Sequence, residues 1–293
     1  MKHLQVLTFA TVLAGLAPFA QALPQEKPTT TTIQTKTTKL MRVGSDLVGK
    51  SLVNEKNESL GKVEDVIVHP RGDVAFIEFS GAGALNTGAK RFPVPWRALD
   101  RNEEGQFVLR STPSDFAHSP SYDKKPDLTA ISWWDETDKA YAKLVAVKAS
   151  PAEASASLAP TKLLYLGNDL RSRSVENPDG QKIASMHELV VDPRSGRVAY
   201  VVLGVGGNLG AGERMIAVPW EALKSMPDKN NPKVERLTLS TTKEKLEAAP
   251  EFQASTEGWA KASEPDYITK VYEYYSVPPY WVVEKKVDAP KKP

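Results

Sequence analysis

The stretch that decides the fold runs from Met186 to Leu223. It reads Met186-His187-Glu188-Leu189-Val190-Val191, a turn Asp192-Pro193-Arg194-Ser195-Gly196, then Val198-Ala199-Tyr200-Val201-Val202. A glycine-rich loop follows, and the stretch ends in Ala217-Val218-Pro219-Trp220-Glu221-Ala222-Leu223. Two short β-branched runs separated by a proline- and glycine-bearing turn are the signature of a hairpin. A weaker version lies upstream, from Val63 to Leu99, ending in Pro93-Val94-Pro95-Trp96-Arg97-Ala98-Leu99. Val66-Ile67-Val68-His69-Pro70 aligns with Leu189-Val190-Val191-Asp192-Pro193 at an offset of 123. One extra residue in the later turn raises the offset to 124, which matches Val74-Ala75-Phe76-Ile77 to Val198-Ala199-Tyr200-Val201 and Trp96 to Trp220. Two copies of this length specify a tandem of domains, whereas a solenoid has shorter and more numerous units.

Outward from the hairpins, further strands are predicted at Arg91 to Val94 and Arg214 to Val218, and at Phe107-Val108-Leu109 and Leu237-Thr238-Leu239. Leu47 to Leu52 and Leu166 to Leu170 begin the two copies. Five or six short strands per copy, with turn residues between them, predict a small closed or nearly closed β-barrel. Each copy continues into an extension: Ser132-Trp133-Trp134-Asp135 parallels Ser263-Glu264-Pro265-Asp266, and Lys139-Ala140-Tyr141 parallels Lys270-Val271-Tyr272. Ser-x-x-Asp is of capping-box type, so each extension is expected to end in a short helix with an aromatic face against its barrel.

Toward the termini the composition changes. Lys2, the apolar run Leu4 to Phe19 and Ala20-Gln21-Ala22 have the layout of a secretory signal peptide (residues 1–22) cleaved after Ala22. The run is short for a membrane span and contains Pro18, so no stable membrane insertion is expected after cleavage. The expected location is the periplasm or outside the cell. Residues 23–42 are threonine-rich and polar, a flexible leader. Domain 1 with its extension is placed at 43–147, an Ala/Ser/Pro-rich linker at 148–161 and domain 2 at 162–283. A disordered basic tail is placed at 284–293. The chain has no cysteine, so packed cores must supply stability without disulfides. Its 38 basic and 36 acidic residues nearly cancel, which argues against nucleic acid as a partner.

The ordered set of motifs resembles the PRC-barrel family. The second copy supplies Leu166-Gly167, Asp179-Gly180, Glu188 to Asp192, the loop Gly206-Gly207-Asn208-Leu209-Gly210-Ala211-Gly212-Glu213, and Val218-Pro219-Trp220. The first supplies Val48-Gly49, Gly61 to Asp65 and Val94-Pro95-Trp96, with a divergent loop Ser80 to Gly88. The resemblance implies a mainly β fold of two small PRC-type barrels in tandem. It also implies a binding or scaffolding module of the kind that docks onto other proteins, among them parts of photosynthetic complexes.

The loop carrying Gly206, Gly207, Leu209, Gly210 and Gly212 leads into a strand, whereas a phosphate cradle leads into a helix N-terminus. It therefore reads as a wide hairpin loop with glycines at positive φ. Glu64 and Asp65 are adjacent on a strand and face opposite ways, which argues against a paired acid–base site, and His187 reads as a lone titrating group. Pro95-Trp96 and Pro219-Trp220 read as anchors that plug a barrel mouth. Tyr280-Trp281, beyond Pro278-Pro279, is the candidate exposed interaction surface. No catalytic residue, metal or cofactor is expected. The reading is a non-enzymatic exported scaffold whose partner is another protein, with pairing between the two barrels inside the chain as a further option. The alternatives are a small-ligand or envelope-surface binder using the cleft between the barrels, and an accessory factor of a photosynthetic or electron-transfer complex.

Overall fold

The structure is a computed structural model that describes residues 39–81, 90–112, 115–116, 119–123, 128, 131–148, 164–206, 212–228 and 235–281. The expected signal peptide, most of the leader, the linker beyond Lys148 and the tail lie outside the described residues.

The first half contains β1 (Met41–Arg42), β2 (Ser51–Val53), β3 (Ser59–Val68), β4 (Val74–Gly81), β5 (Arg91–Pro95), β6 (Leu99–Arg101), β7 (Phe107–Leu109) and helix α1 (Ile131–Lys148). The second half contains β8 (Tyr165–Leu166), α2 (Gly167–Leu170), β9 (Ser174–Glu176), β10 (Lys182–Val191), β11 (Val198–Val205), β12 (Arg214–Val218), β13 (Leu223–Pro227) and β14 (Glu235–Leu239). Three helices follow: α3 (Lys243–Ala248), α4 (Thr256–Lys261) and α5 (Pro265–Tyr275). The fold is mainly β, two barrel-like sheets in tandem. One sheet has the order β5-β4-β3-β2-β7-β6 and the other β12-β11-β10-β9-β14-β13.

The seventh strand of each sheet comes from the other half. β1 pairs with β10, Arg42 opposite Val190, and β8 pairs with β3, Leu166 opposite Ile67. Ile67 and Val190 are equivalent positions of the repeat, so the exchange is reciprocal and an approximate twofold relates the halves. Met41 and Arg42, read from sequence as leader, are thus built into the second sheet. Two residues suffice because their backbone groups are satisfied by β10, and Leu40 and Met41 are buried.

After the exchanged strands the halves differ by one residue. Val43–Leu47 forms a π-helical turn in which Val48 N–H donates to Val43 O, whereas Arg171 N–H closes an ordinary α turn on Gly167 O. The chains rejoin where Gly49 N–H bonds Val63 O and Ser172 N–H bonds Met186 O. The equivalents of Val48-Gly49 are therefore Arg171-Ser172. The match to Leu166-Gly167 made from the motif alone is displaced by the length of this turn.

β11 is buried along its whole length because both of its faces are covered. Val198, Val201 and Leu203 enter a core cluster that runs continuously through both halves, while Ala199, Tyr200 and Val202 meet the helical extension. A strand buried on both faces reads as an unbroken apolar run. In the first half Phe76 of β4 takes the edges of Trp133 and Trp134 from α1, at 5.1 and 4.8 Å between ring centroids. The helix starts differ from the capping-box expectation. Ser132 lies inside α1, an 18-residue helix rather than a short one. α5 starts at Pro265 after Glu264, with no side-chain cap, and Ser263 Oγ donates back to Trp259 O. Side-chain caps are instead Thr242 on α3 and Ser255 on α4. Among the described residues no helix is long and apolar enough to cross a membrane.

Candidate functional site: the groove and the inter-copy seam

The glycine-rich loop joins β11 to β12, whose ends pair antiparallel with Val205 opposite Arg214. Gly206 and Gly212 have φ of +74° and +77°, as expected of a wide hairpin; Gly207, Leu209 and Gly210 lie outside the described residues. Beside this loop an open groove of about 1500 Å³ crosses the second half. Its floor is the outward face of β10 near Ile183, Ser185 and His187, and its walls include Arg171, Lys182 and Leu246.

His187 is not a lone group. Its Nε2 lies 2.7 Å from Glu213 Oε2, and Gly204 makes room for the pair, since a Cβ there would sit 2.5 Å from that nitrogen. The partner is 26 residues away and becomes visible only once the β11–β12 register is known. At the position equivalent to His187, Glu64 accepts from Ser80 Oγ at 2.6 Å. The two copies therefore present different chemistry on the same face.

The other carboxylates of the first hairpin face the seam between the halves. Asp65 Oδ1 accepts from Val66 N–H at 2.8 Å and, across the seam, from Asn168 N–H at 3.0 Å. Glu188 Oε1 accepts from Leu189 N–H and, across the seam, from Gly44 N–H, both at 3.0 Å. Burial pushes the Asp65 carboxyl up to about 6 despite these donors, with the nearby Glu78 adding to the effect. Burial also raises Glu188. Glu78, opposite Asp65 on β4, is fully buried and held by the Tyr122 hydroxyl and by Arg91 Nη1 at 3.4 Å.

The predicted anchors also belong to this seam. Pro95 and Pro219 each lead into a 3-10 turn that starts with the tryptophan. Each ring reaches the turn of the other half. Trp220 Nε1 donates to Pro70 O at 2.8 Å, and its ring lies on Gly72. Trp96 lies on Gly196 in the same manner and meets Phe107 edge-on at 5.7 Å. The space between the barrels is thereby packed, and the groove lies on the second copy instead of between the two. Tyr280 and Trp281 are half-buried. Tyr280 donates to Asp192 Oδ2 at 3.1 Å, and the Trp281 ring meets Tyr272 edge-on at 5.1 Å, so the segment after the two prolines folds back onto the second hairpin.

A mainly β chain of two short-stranded barrels, joined through a Val-Pro-Trp ending in each, defines the class. The PRC-barrel domain profile matches residues 41–115 and 164–237. The chain belongs to the PRC-barrel domain family, as a tandem duplication of that domain. A search of curated proteins found no match.

Proposed function

We propose that the protein is an exported, non-enzymatic scaffold that holds an extended segment of another protein in the groove of its second copy. The observation that carries this reading is the groove itself. Small-molecule pockets are concave, mostly apolar and of roughly 300–1,000 Å³. This hollow is larger, open to solvent, and lined by a mixture of aliphatic and charged side chains, a shape suited to a polypeptide. Several of its charged groups are held in structural contacts, His187 by Glu213, Arg171 by the seam carboxylate Glu188 at 3.7 Å and Arg214 by the Leu246 and Ala249 carbonyls, which suits a docking face better than a reaction centre. The layout of residues 1–22 supports export.

The test uses the absence of cysteine. A photo-cross-linker is attached at Ser185→Cys in the groove and, as a control, at Glu273→Cys on the exposed side of α5. The expected result is a polypeptide adduct at position 185 only, and the purified partner should lose affinity for Ser185→Trp. Equal labelling from both positions, or a small molecule seen by native mass spectrometry in place of an adduct, refutes the reading.

A further inference from the structure

At the centre of the seam, Gly72–Val74 meets Gly196–Val198 as antiparallel backbone. Val74 N–H donates to Gly196 O at 2.8 Å, and Val198 N–H donates to Gly72 O at 2.7 Å. Asp73 and Arg197 are left directly opposite one another as a non-hydrogen-bonded pair, the arrangement in which facing side chains lie closest. These two residues occupy the same position of the repeat. Two identical copies meeting here would set Asp against Asp or Arg against Arg. Instead Arg197 Nη1 reaches both oxygens of Asp73 at 3.2 Å, with the two side chains only 19% and 15% exposed. Arg197 Nη2 goes on to Glu221 Oε1 at 2.7 Å.

Three of the other contacts between the copies are made in both directions and do not discriminate. A tryptophan lies on a glycine turn in both directions, a carboxylate takes a backbone N–H in both directions, and a two-residue strand is exchanged in both directions. Any two copies would make them. We propose that the face centred on Asp73 and Arg197 is a pairing surface whose partner is selected by this charge complementarity. A first copy accepts a second copy and rejects another first, so the chain closes on itself and does not link to further chains through like copies. The symmetric contacts supply adhesion and the axial pair supplies choice. Like charges directly opposite on an antiparallel pair are destabilising, and partial burial enlarges the penalty.

The test starts from the full chain with a protease site inserted between residues 155 and 156, purified folded and then cut. The two halves differ in mass, so native mass spectrometry separates first–second pairs from like pairs. The cut chain is expected to stay together and, after unfolding in urea and refolding, to return as first–second pairs. Arg197→Asp should weaken that association by about tenfold or more. The triple variant Asp73→Arg, Arg197→Asp, Glu221→Gln should restore it; the third change is needed because a carboxylate at position 197 would otherwise face Glu221. If the single variant does not fold, folding and pairing of the triple variant support the proposal, and failure of both overturns it. Halves that part as monomers, a statistical mixture of like and unlike pairs, or an Arg197→Asp chain that pairs as the wild type does would each overturn it too.

Discussion

Replacing Gly72 with alanine separates two costs that usually arrive together. Gly72 sits at φ +87°, and a Cβ there would lie 2.7 Å from Trp220 Cγ. The backbone term for an L-residue in the left-handed region is about 1 kcal/mol. The steric term requires the Trp220 ring to move, and overpacking of a well-packed site costs about 1–3 kcal/mol. Moving the ring also stretches the Nε1–H bond to Pro70 O, another ~1 kcal/mol. The expected loss for Gly72→Ala is therefore about 3–5 kcal/mol. Gly49 provides the control. Its φ is +79°, but nothing lies within 4 Å of the position a Cβ would take, so Gly49→Ala should lose only the backbone term of about 1 kcal/mol. Urea unfolding followed by tryptophan fluorescence reads both, and a difference of this size moves the midpoint by roughly 1 M or more. Gly196→Ala, against Trp96, should behave like Gly72→Ala. Equal midpoints for Gly72→Ala and Gly49→Ala would mean that the tryptophan–glycine contact does not hold the halves together, and the account of the seam would fail.

Three further outcomes follow from the same contacts. Asp65 carries a folded-state pKa of about 6 against 3.8, so its contribution is fully present below the unfolded value and is lost as pH rises through 6. Asp65→Asn keeps an oxygen for the two N–H donors and removes the titration. Its stability to urea should gain on the wild type's by about 2 kcal/mol between pH 4.5 and 7.5, and parallel curves would refute the assignment. Ser172 adopts φ +108° where the first half has Gly49, so Ser172→Gly should raise stability by about 1 kcal/mol; an unchanged or lower melting temperature counts against strain there. Tyr280→Phe removes the hydroxyl bonded to Asp192 and should lose about 1 kcal/mol, and an unaltered unfolding midpoint would show that the bond contributes nothing.

The repeat was legible because its hairpins carry their register in the chain: the offset changes by one at Ser195, and the structure places that residue in the longer turn. The pairing of strands within each barrel follows from this register. The exchange of β1 and β8 is not legible in the same way. Two-residue strands have no periodicity, and Lys39-Leu40-Met41-Arg42 follows a threonine-rich run that dominates any composition window. The extra residue in the π-helical turn was hidden for a related reason, since an apolar residue followed by glycine also occurs at Leu166-Gly167 and offers a false match to Val48-Gly49. The tryptophans were recognisable as buried anchors, but their targets lie 148 and 100 residues upstream or downstream, and a plugged barrel and a plugged neighbour read alike in one dimension. In the groove, His187 was recognisable from the sequence as a titrating group. Its partner Glu213 required knowing which residue follows the glycine loop in register.

Duplication within one chain frees each copy from having to match itself. In a symmetric pair, any residue near the axis meets its own image, so a charge there is opposed by the same charge. Once the copies are joined, equivalent positions can diverge, and the most informative divergences are those that touch the seam or line the groove. Asp73 and Arg197 become an ion pair. Glu78, buried and bound by Tyr122 and Arg91, has Val202 as its equivalent, packed under the second extension. Glu64 with Ser80 in one half becomes His187 with Glu213 across Gly204 in the other. The symmetric contacts are packing and hydrogen bonds to backbone groups, which tolerate self-pairing, while these asymmetric ones are mostly charged. That division is what physical chemistry requires of a fused dimer: apolar and backbone complementarity can be self-complementary, but electrostatic complementarity across a twofold axis demands two different partners.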